Sequence, residues 1–398
     1  MIRSKVWTLT DTAGDVWLDS FSVDNTALKL PTPHSWSIRK RTLRGGLRDG
    51  VDVIEVNNGA LTFAVLPTRG MGIWRGEYRG NFLGWRSPAH GPVHPQFVAQ
   101  GERGGIGWLR GFDELLCRCG LGWNGPPGED SWTDKAGGKH TDHLTLHGRI
   151  ANLPAHHVEV RVNLDAPYEL SVSGQVLEAE LFGPQLQLTS TLTTVPGSNR
   201  VMIHDVVENR AAHEAELQLL YHCNLGPPYL EAGSRVAVPS VEMAPLTPRA
   251  AEDIATWDSY RGPTKGYAEQ VYVYDAAADS HQRSLAMLYN QGADKGVAVR
   301  WNKSELPCFT VWKNTAALED GYVTGLEPAL NYPNFKTFER QQGRVKSLAP
   351  GGKWQATWSI EALEGRDAVH HVLTEIATLQ AHTPQKLHRQ PRAGWTPG

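Results

Sequence analysis

Apolar and polar side chains alternate with a period of two along most of this chain, and this pattern constrains its fold more than any other feature. Residues 158–164 read Val-Glu-Val-Arg-Val-Asn-Leu, and residues 354–361 read Trp-Gln-Ala-Thr-Trp-Ser-Ile-Glu. Such alternation is typical of strands with one buried and one polar face. Turn sequences such as Asn57-Asn58-Gly59 separate the runs and favour hairpins. Half-polar strands joined by tight turns predict an all-β fold, a large antiparallel β-sandwich.

Nothing resembles an interdomain linker before residue 365, so we expect residues 1–365 to form a single β-sandwich domain. Residues 99–140 are rich in glycine, proline and charge, which predicts long loops over one end of the sandwich. Loops of this length usually serve a site. Residues 366–398 are expected to form an amphipathic helix, near 367–380, followed by a loosely ordered polar tail.

The charge balance and the apolar content exclude several classes of protein. The formal net charge is −3, whereas a nucleic-acid or anionic-membrane partner usually requires a basic stripe. No run of about eighteen apolar residues is present, so we expect no segment to span a bilayer. The amino terminus, Met1–Trp7, lacks the apolar stretch of a signal peptide, which favours a cytoplasmic location. The four cysteines are too scattered for a disulfide framework and are expected to be reduced.

The 14 tryptophans are a weaker signal. Indole rings stack on the apolar faces of sugar rings, so an excess of tryptophan is compatible with a carbohydrate ligand. The same residues also fill the core of a large sandwich, and composition alone favours that interpretation.

His222 and Glu327 are the candidates for proton transfer. His222 lies shortly before Gly226 and Pro227, which cannot continue a strand, so we expect its side chain at the rim of a sheet. Imidazole is the usual general acid or base near neutral pH. Glu327 precedes Pro328 and is also expected at a rim or edge, where a partly buried carboxylate has a raised pKa and can act as a base. Spacing alone leaves open a structural histidine and a solvated surface glutamate.

A third group of polar residues, His140–Arg149, contains three histidines and an aspartate. Its alternation predicts a strand, which would place His143 and His147 roughly 13 Å apart. One metal ion could not bridge that distance, so a metal held by this segment alone is disfavoured.

The order of these motifs resembles the galactose mutarotase (aldose 1-epimerase) superfamily over roughly residues 40–363. The matching motifs are Leu146-His147-Gly148, His222-Cys223-Asn224-Leu225, and Leu326-Glu327 followed by a proline-bearing stretch. The segment Leu66-Pro67-Thr68-Arg69-Gly70-Met71 resembles a bacterial branch of that superfamily that bears Leu-Pro-x-Arg-Gly-Met.

This resemblance implies a role for each matching residue. His222 would protonate the ring oxygen of a sugar, and Glu327 would take the proton from the anomeric hydroxyl. His147 would hold the substrate. Glu269 or Gln270 would replace an aspartate that contacts the sugar hydroxyls. The remaining expected substrate contacts are Arg69 and Arg149, and the expected stacking partners are Trp108 and Trp312.

Three functions are open at this point. An aldose 1-epimerase-like isomerase, which interconverts anomers of a free sugar, would need no cofactor, because two proton-transfer groups suffice. A metal-assisted aldose–ketose isomerase, or another sugar epimerase on the same scaffold, would gather His147, His222, Glu269 and Glu327 around a divalent ion. The third function is non-catalytic carbohydrate binding, against which the retention of both His222 and Glu327 counts. The expected partner is a small-molecule sugar, with neither nucleic acid nor membrane, and a homodimer remains open.

Overall fold

Two large β-sheets packed face to face form this protein, whose structure is a computed structural model that describes residues 3–133 and 136–397. The first strands are β1 (Ser4–Asp11), β2 (Val16–Trp17), β3 (Ser20–Asp24), β4 (Ser37–Thr42), β5 (Asp52–Asn57), β6 (Leu61–Leu66), β7 (Gly72–Tyr78), β8 (Asn81–Leu83), β9 (Leu116–Leu121), β10 (Gly128–Thr133), β11 (Lys139–Leu144), β12 (His157–Asn163) and β13 (Leu170–Ala179). The later strands are β14 (Gln185–Thr194), β15 (Arg200–Asn209), β16 (Ala215–Leu225), β17 (Arg235–Ala237), β18 (Ser240–Pro245), β19 (Gln270–Ala276), β20 (Arg283–Tyr289), β21 (Lys295–Asn302), β22 (Cys308–Asn314), β23 (Val323–Ala329), β24 (Lys346–Leu348), β25 (Lys353–Glu364) and β26 (Lys386–Leu387). The α-helices are α1 (Glu102–Gly105), α2 (Pro248–Glu252), α3 (Lys336–Gln341) and α4 (Arg366–Ala381).

One of the two large sheets has ten strands, in the order β17-β20-β21-β25-β15-β14-β13-β12-β1-β2. The 14-stranded sheet follows the order β26-β18-β19-β22-β23-β16-β9-β7-β6-β5-β4-β3, with β24 paired to β16 and β8 paired to β7. The central pairs, such as β13 with β14 and β22 with β23, are antiparallel, whereas β18 pairs with β26 in parallel. The predicted fold class, an all-β antiparallel sandwich, is confirmed.

The main apolar core lies between the two sheets, where alternate side chains of each strand meet. In β14 every second residue from Leu186 to Thr194 is buried, as the period of two predicts. The core cluster draws on residues along the chain from Leu9 to Ala362. Burial of these side chains is the main force that holds the two sheets together.

The outer face of the 14-stranded sheet is also covered over part of its area. β16 is buried along almost its whole length, so neither of its faces meets water. Trp108 and Phe112 from the loops between β8 and β9, and Leu146 from the loop after β11, pack on this outer face. His222 of β16 and Glu327 of β23 lie in this covered area.

The helix predicted near residues 367–380 is confirmed as α4. Val369, Val372 and Ile376 lie on its buried face and pack against Leu285 and Met287 of β20. The spacing of those apolar residues is that of one helix face.

Two predictions about loops need correction. Residues 99–140 contain β9, part of the 14-stranded sheet, and β10, which pairs with β11, so the segment is not loop throughout. Residues 134 and 135 of that stretch lie outside the described residues. The tail after residue 383 is better ordered than predicted, because β26 joins a sheet and Trp395 packs against Tyr332. No helix in residues 3–133 or 136–397 is long and apolar enough to cross a bilayer.

Candidate active site

Three neighbouring strands carry the candidate site on the outer face of the 14-stranded sheet. His222 lies on β16, Glu327 on β23 and Trp312 on β22, and these strands are adjacent in the order β22-β23-β16. The register that pairs Cys223 with Leu326 places His222 directly opposite Glu327. Side chains opposite each other on neighbouring strands share a face and lie within contact distance.

The predicted convergence of His222 and Glu327 agrees with the geometry of the structure. The Nε2 atom of His222 lies 3.2 Å from Oε1 of Glu327. Gly325, on the same face of β23, has no side chain to separate them: a Cβ there would lie 2.5 Å from Glu327 Oε1 and 3.1 Å from His222 Cε1. The expected position at a sheet rim is wrong for Glu327, because Pro328 lies within β23 opposite Phe309 and does not end the strand.

Burial sets the protonation of this pair. His222 is 5% exposed and Glu327 is 2% exposed. Burial lowers the pKa of His222 to about 4, and the hydrogen bond between His222 Nδ1 and the amide oxygen of Asn224 opposes this shift. Burial also raises the pKa of Glu327 well above its usual range, and the negative charge of Glu269 raises it further. Both shifts disfavour the charged form, so burial favours a neutral His222 beside a protonated Glu327.

Aromatic side chains surround the pair. The Trp312 ring lies 5.2 Å from the His222 ring, and the Phe112 ring lies 5.0 Å from it, measured between centroids. The Trp108 ring lies 4.9 Å from Phe112 and 4.8 Å from His147. These rings form an apolar wall beside His222 and Glu327.

His147 joins this group from a turn, which corrects the predicted strand through residues 143–147. β11 ends at Leu144, and His147 has a left-handed backbone with φ of 59°. The turn brings the His147 ring to 5.8 Å from the His222 ring, whereas His143 is exposed. Burial and the charge that His222 can carry lower the pKa of His147 to about 3, so His147 is neutral at physiological pH.

Several buried polar atoms in this region have no hydrogen-bond partner among the described residues. They include Nε1 of Trp108, Nδ1 of His147, Oγ1 of Thr310 opposite Glu327 on β22, and Oε1 of Glu327, which is close to His222 but without hydrogen-bond geometry. An unpaired buried polar group typically costs about 1–3 kcal/mol. An indole N–H, an imidazole nitrogen, a hydroxyl and one oxygen of a carboxyl group are therefore unpaired around the pair.

Arg69 does not have the position expected of a substrate contact. Its guanidinium is buried and binds Oε1 of Glu114 at 2.5 Å, the carbonyl of Val93 at 2.8 Å and the carbonyl of Gly111 at 2.9 Å. Gly111 ends the turn that carries Trp108. The structure thus gives Arg69 a supporting role beneath the loop that forms the aromatic wall.

Of the other expected substrate contacts, Glu269 lies at the site, whereas Gln270 and Arg149 lie away from it. Glu269 is exposed and accepts a hydrogen bond of 2.6 Å from Nε1 of Trp312, so it lies beside the wall. Gln270 is buried and contacts Tyr267 and Asp253 instead. Arg149 binds Glu180 at the surface, away from the pair.

Sequence reasoning missed three residues of this site. Phe112 contacts the His222 ring, Gly325 leaves room for the pair, and Asn224 binds the His222 ring at 2.5 Å. Asn224 was detectable in principle, because residues i and i+2 of a strand share a face. Within residues 3–133 and 136–397, no three His, Cys, Asp or Glu side chains are grouped so that they could hold a metal ion.

Comparison with known families places this site in context. A family model described as a domain of unknown function, DUF4432, matches residues 48–362. The chain belongs to the DUF4432 family. A solved structure from Klebsiella pneumoniae, described as a "putative aldose 1-epimerase", is 36% identical to this chain and superposes with a TM-score of 0.92 over 98% of this chain and 100% of that chain.

More distant structures share the fold of this DUF4432 member. A galactose mutarotase-like protein from Clostridium acetobutylicum is 14% identical, with a TM-score of 0.55 over 82% of this chain and 98% of that chain. A galactose 1-epimerase from Lactobacillus acidophilus is 11% identical, with a TM-score of 0.50 over 87% of this chain and 99% of that chain. The resemblance to the galactose mutarotase superfamily is thereby confirmed at the level of fold. No curated protein matches the chain.

Proposed function

We propose that this protein is an aldose 1-epimerase-like isomerase that interconverts the anomers of a free sugar by proton transfer through Glu327 and His222. The observation that carries the proposal is the 3.2 Å contact between His222 Nε2 and Glu327 Oε1 within a buried, aromatic-walled region. The description of the Klebsiella pneumoniae relative, which is 36% identical, supports the same class of reaction.

Anomer exchange needs a group that takes a proton and a group that gives one. The anomeric hydroxyl loses its proton while the ring oxygen gains one, so the bond between the anomeric carbon and the ring oxygen breaks and an aldehyde forms. Rotation about the neighbouring carbon–carbon bond turns the aldehyde over. The reverse transfers then close the ring on the other face, and every proton returns to its origin.

The geometry of the pair suits this exchange. The two oxygens that change protonation are attached to the same carbon, so the groups that serve them must be neighbours, as His222 and Glu327 are. Because burial disfavours both charged forms, the resting pair carries its proton on Glu327 and leaves Nε2 of His222 as the acceptor. A proton-transfer pair with one shared proton can run the reaction in both directions.

The surroundings favour a sugar as the ligand. Trp312, which is half-buried, and the buried Trp108 lie beside the pair, and indole faces pack on the apolar side of a pyranose ring. The unpaired Nε1 of Trp108 and Nδ1 of His147 are matched by hydroxyl groups, which both donate and accept hydrogen bonds.

The test is anomer exchange measured by NMR or polarimetry on a panel of neutral free sugars. We expect Glu327→Gln and His222→Gln each to lower kcat by roughly 10²- to 10⁴-fold, the usual contribution of one proton-transfer group. The double variant should be little worse than either single variant, since both residues serve one step. The matched control is Glu178→Gln, because Glu178 is also buried but binds the backbone of Leu121 and Gly122 outside the site.

Three outcomes separate this proposal from other functions. Full exchange activity in Glu327→Gln would overturn the assignment of the pair. Activity that is lost with a chelator and restored by a divalent ion would instead favour a metal-assisted sugar isomerase. Sugar binding, seen as a rise in melting temperature, without exchange of any bound sugar would favour a carbohydrate-binding protein.

A further inference from the structure

Asn224 lies on the same face of β16 as His222 and touches its imidazole. The side chain of Asn224 is fully buried and makes three polar contacts. Its Nδ2 donates to the carbonyl oxygens of Glu114 at 3.0 Å and of His222 at 3.1 Å. Its Oδ1 lies 2.5 Å from Nδ1 of His222.

These contacts determine which way the Asn224 amide points. If the amide were reversed, its oxygen would face two carbonyl oxygens, none of which can donate, and both bonds would be lost. The oxygen therefore faces His222. An amide oxygen accepts hydrogen bonds only, so Nδ1 of His222 must carry the hydrogen.

We propose that Asn224 is a positioning residue that holds His222 as its Nδ1–H tautomer and so keeps Nε2 free to exchange the proton with Glu327. Its consequence for catalysis rests on the function proposed above. In the other tautomer Nε2 would carry its own hydrogen and could not accept one from Glu327 or from a sugar. Nε2, which this tautomer leaves without a hydrogen, is also the nitrogen that lies 3.2 Å from Glu327 Oε1.

The other groups around the His222 ring are a carboxyl group, an imidazole, a thiol and two aromatic rings. The titratable groups that face His222 are Glu327 on β23, His147 from the turn after β11, and Cys117 directly opposite on β9. Trp312 and Phe112 meet the ring as aromatic surfaces. Asn224 is thus the neighbour with a hydrogen bond to Nδ1.

The first experiment measures the tautomer and needs no substrate. Protein labelled with ¹⁵N-histidine is examined by long-range ¹H–¹⁵N spectra near neutral pH, and the His222 signals are assigned by their absence in His222→Gln. We expect a protonated Nδ1 and an unprotonated Nε2 in the natural protein. Asn224→Leu should lose this pattern. Asn224→Asp gives up the two Nδ2 hydrogen bonds but should keep the pattern, because a carboxylate oxygen still accepts from Nδ1.

A protonated Nε2 in the natural protein would overturn the proposal, and so would an unchanged pattern in Asn224→Leu. If Asn224→Leu does not fold, the natural protein and Asn224→Asp still decide the question. The tautomer result stands even when no sugar is turned over, so failure of the proposed function and failure of this inference are distinguishable.

The second experiment uses the exchange assay. Asn224→Leu should lower kcat by roughly 10²-fold, as expected when the proton-transfer atom is blocked, and change KM much less. Asn224→Asp should recover most of that loss. It should also move the acid limb of the pH profile to higher pH, because a carboxylate beside Nδ1 stabilises the protonated ring of His222. A loss in Asn224→Leu that Asn224→Asp does not recover would indicate a purely structural role and refute the proposal.

Discussion

Replacing Gly325 with alanine tests whether the geometry of the His222–Glu327 pair matters, because it adds one methyl group and changes neither titratable group. The added Cβ would lie 2.5 Å from Glu327 Oε1, 3.1 Å from His222 Cε1 and 3.2 Å from His222 Nδ1. An ordinary contact requires roughly 3.5 Å, so the Glu327 carboxyl must move by about 1 Å. The backbone of Gly325 lies in an ordinary strand conformation that alanine also adopts, so the strain is confined to the site.

The magnitudes follow from this displacement. Crowding a packed site typically costs about 1–3 kcal/mol of stability, partly offset by about 0.4–1 kcal/mol from the reduced freedom of the unfolded chain. A net loss of about 1–2 kcal/mol leaves the protein folded. A misplacement of about 1 Å can cost 10²-fold in rate, so we expect kcat to fall by about that factor.

The assay compares Gly325→Ala with Gly296→Ala in anomer exchange and in chemical unfolding. Gly296 is a buried glycine of β21 in the other sheet, and a Cβ there would meet Met287 Sδ and the carbonyl of Leu288 at 3.2 Å. Gly296→Ala should also crowd a buried strand, with a smaller loss of stability, and should keep its kcat. If folded Gly325→Ala retains the natural kcat, the position of Glu327 beside His222 is irrelevant to turnover, and the reasoning is refuted.

Three further predictions concern Trp108 in the aromatic wall, Arg69 beneath it, and the pH dependence of stability that His222 causes. Trp108→Phe keeps a ring but removes the unpaired Nε1, so sugar affinity measured by calorimetry should fall roughly tenfold, the effect of one lost hydrogen bond, and an unchanged affinity would count against a ligand contact there. Arg69→Met leaves Glu114 buried without its partner and should cost about 3–5 kcal/mol in chemical unfolding, while a loss below 1 kcal/mol would contradict the supporting role. Folding lowers the pKa of His222 from 6.5 to about 4, so the free energy of unfolding falls as pH falls below 6.5. Between pH 7 and pH 5, the free energy of unfolding of His222→Gln should therefore fall by about 2 kcal/mol less than that of the natural protein. Equal losses would show that His222 is not held neutral.

The sequence predicted the sandwich because a strand with one buried face shows alternating apolar and polar residues. The sequence of β9 shows no such alternation. Its segment reads Leu-Cys-Arg-Cys-Gly-Leu, and Arg118 points into the main core, where it binds Asp205 at 2.5 Å and 2.9 Å. A charged residue at a core position can be predicted only when its partner is known, and the partner of Arg118 lies on the distant strand β15.

The same distinction applies to the site. His222 and Glu327 could be selected from their residue types and their motifs, but their contact depends on the register between β16 and β23, which no local pattern encodes. Arg69 was selected for the same reasons and has a different role, because its partners Glu114, Val93 and Gly111 lie in a loop whose path depends on tertiary packing. The turn at His147 likewise requires a left-handed backbone that alternation does not reveal.

The energetics of the unpaired atoms connect the fold to the proposed function. Unpaired buried polar atoms also occur elsewhere, for example Nε1 of Trp36 and of Trp358, so one such atom marks nothing by itself. At the candidate site, Trp108, His147 and Glu327 each contribute one, in a region bounded by the aromatic rings around His222. Together they cost several kcal/mol, a large part of the 5–15 kcal/mol that stabilises a typical domain. Under the proposed function, the hydroxyl groups of a bound sugar would offset part of that cost, and this binding energy would be gained beside His222 and Glu327.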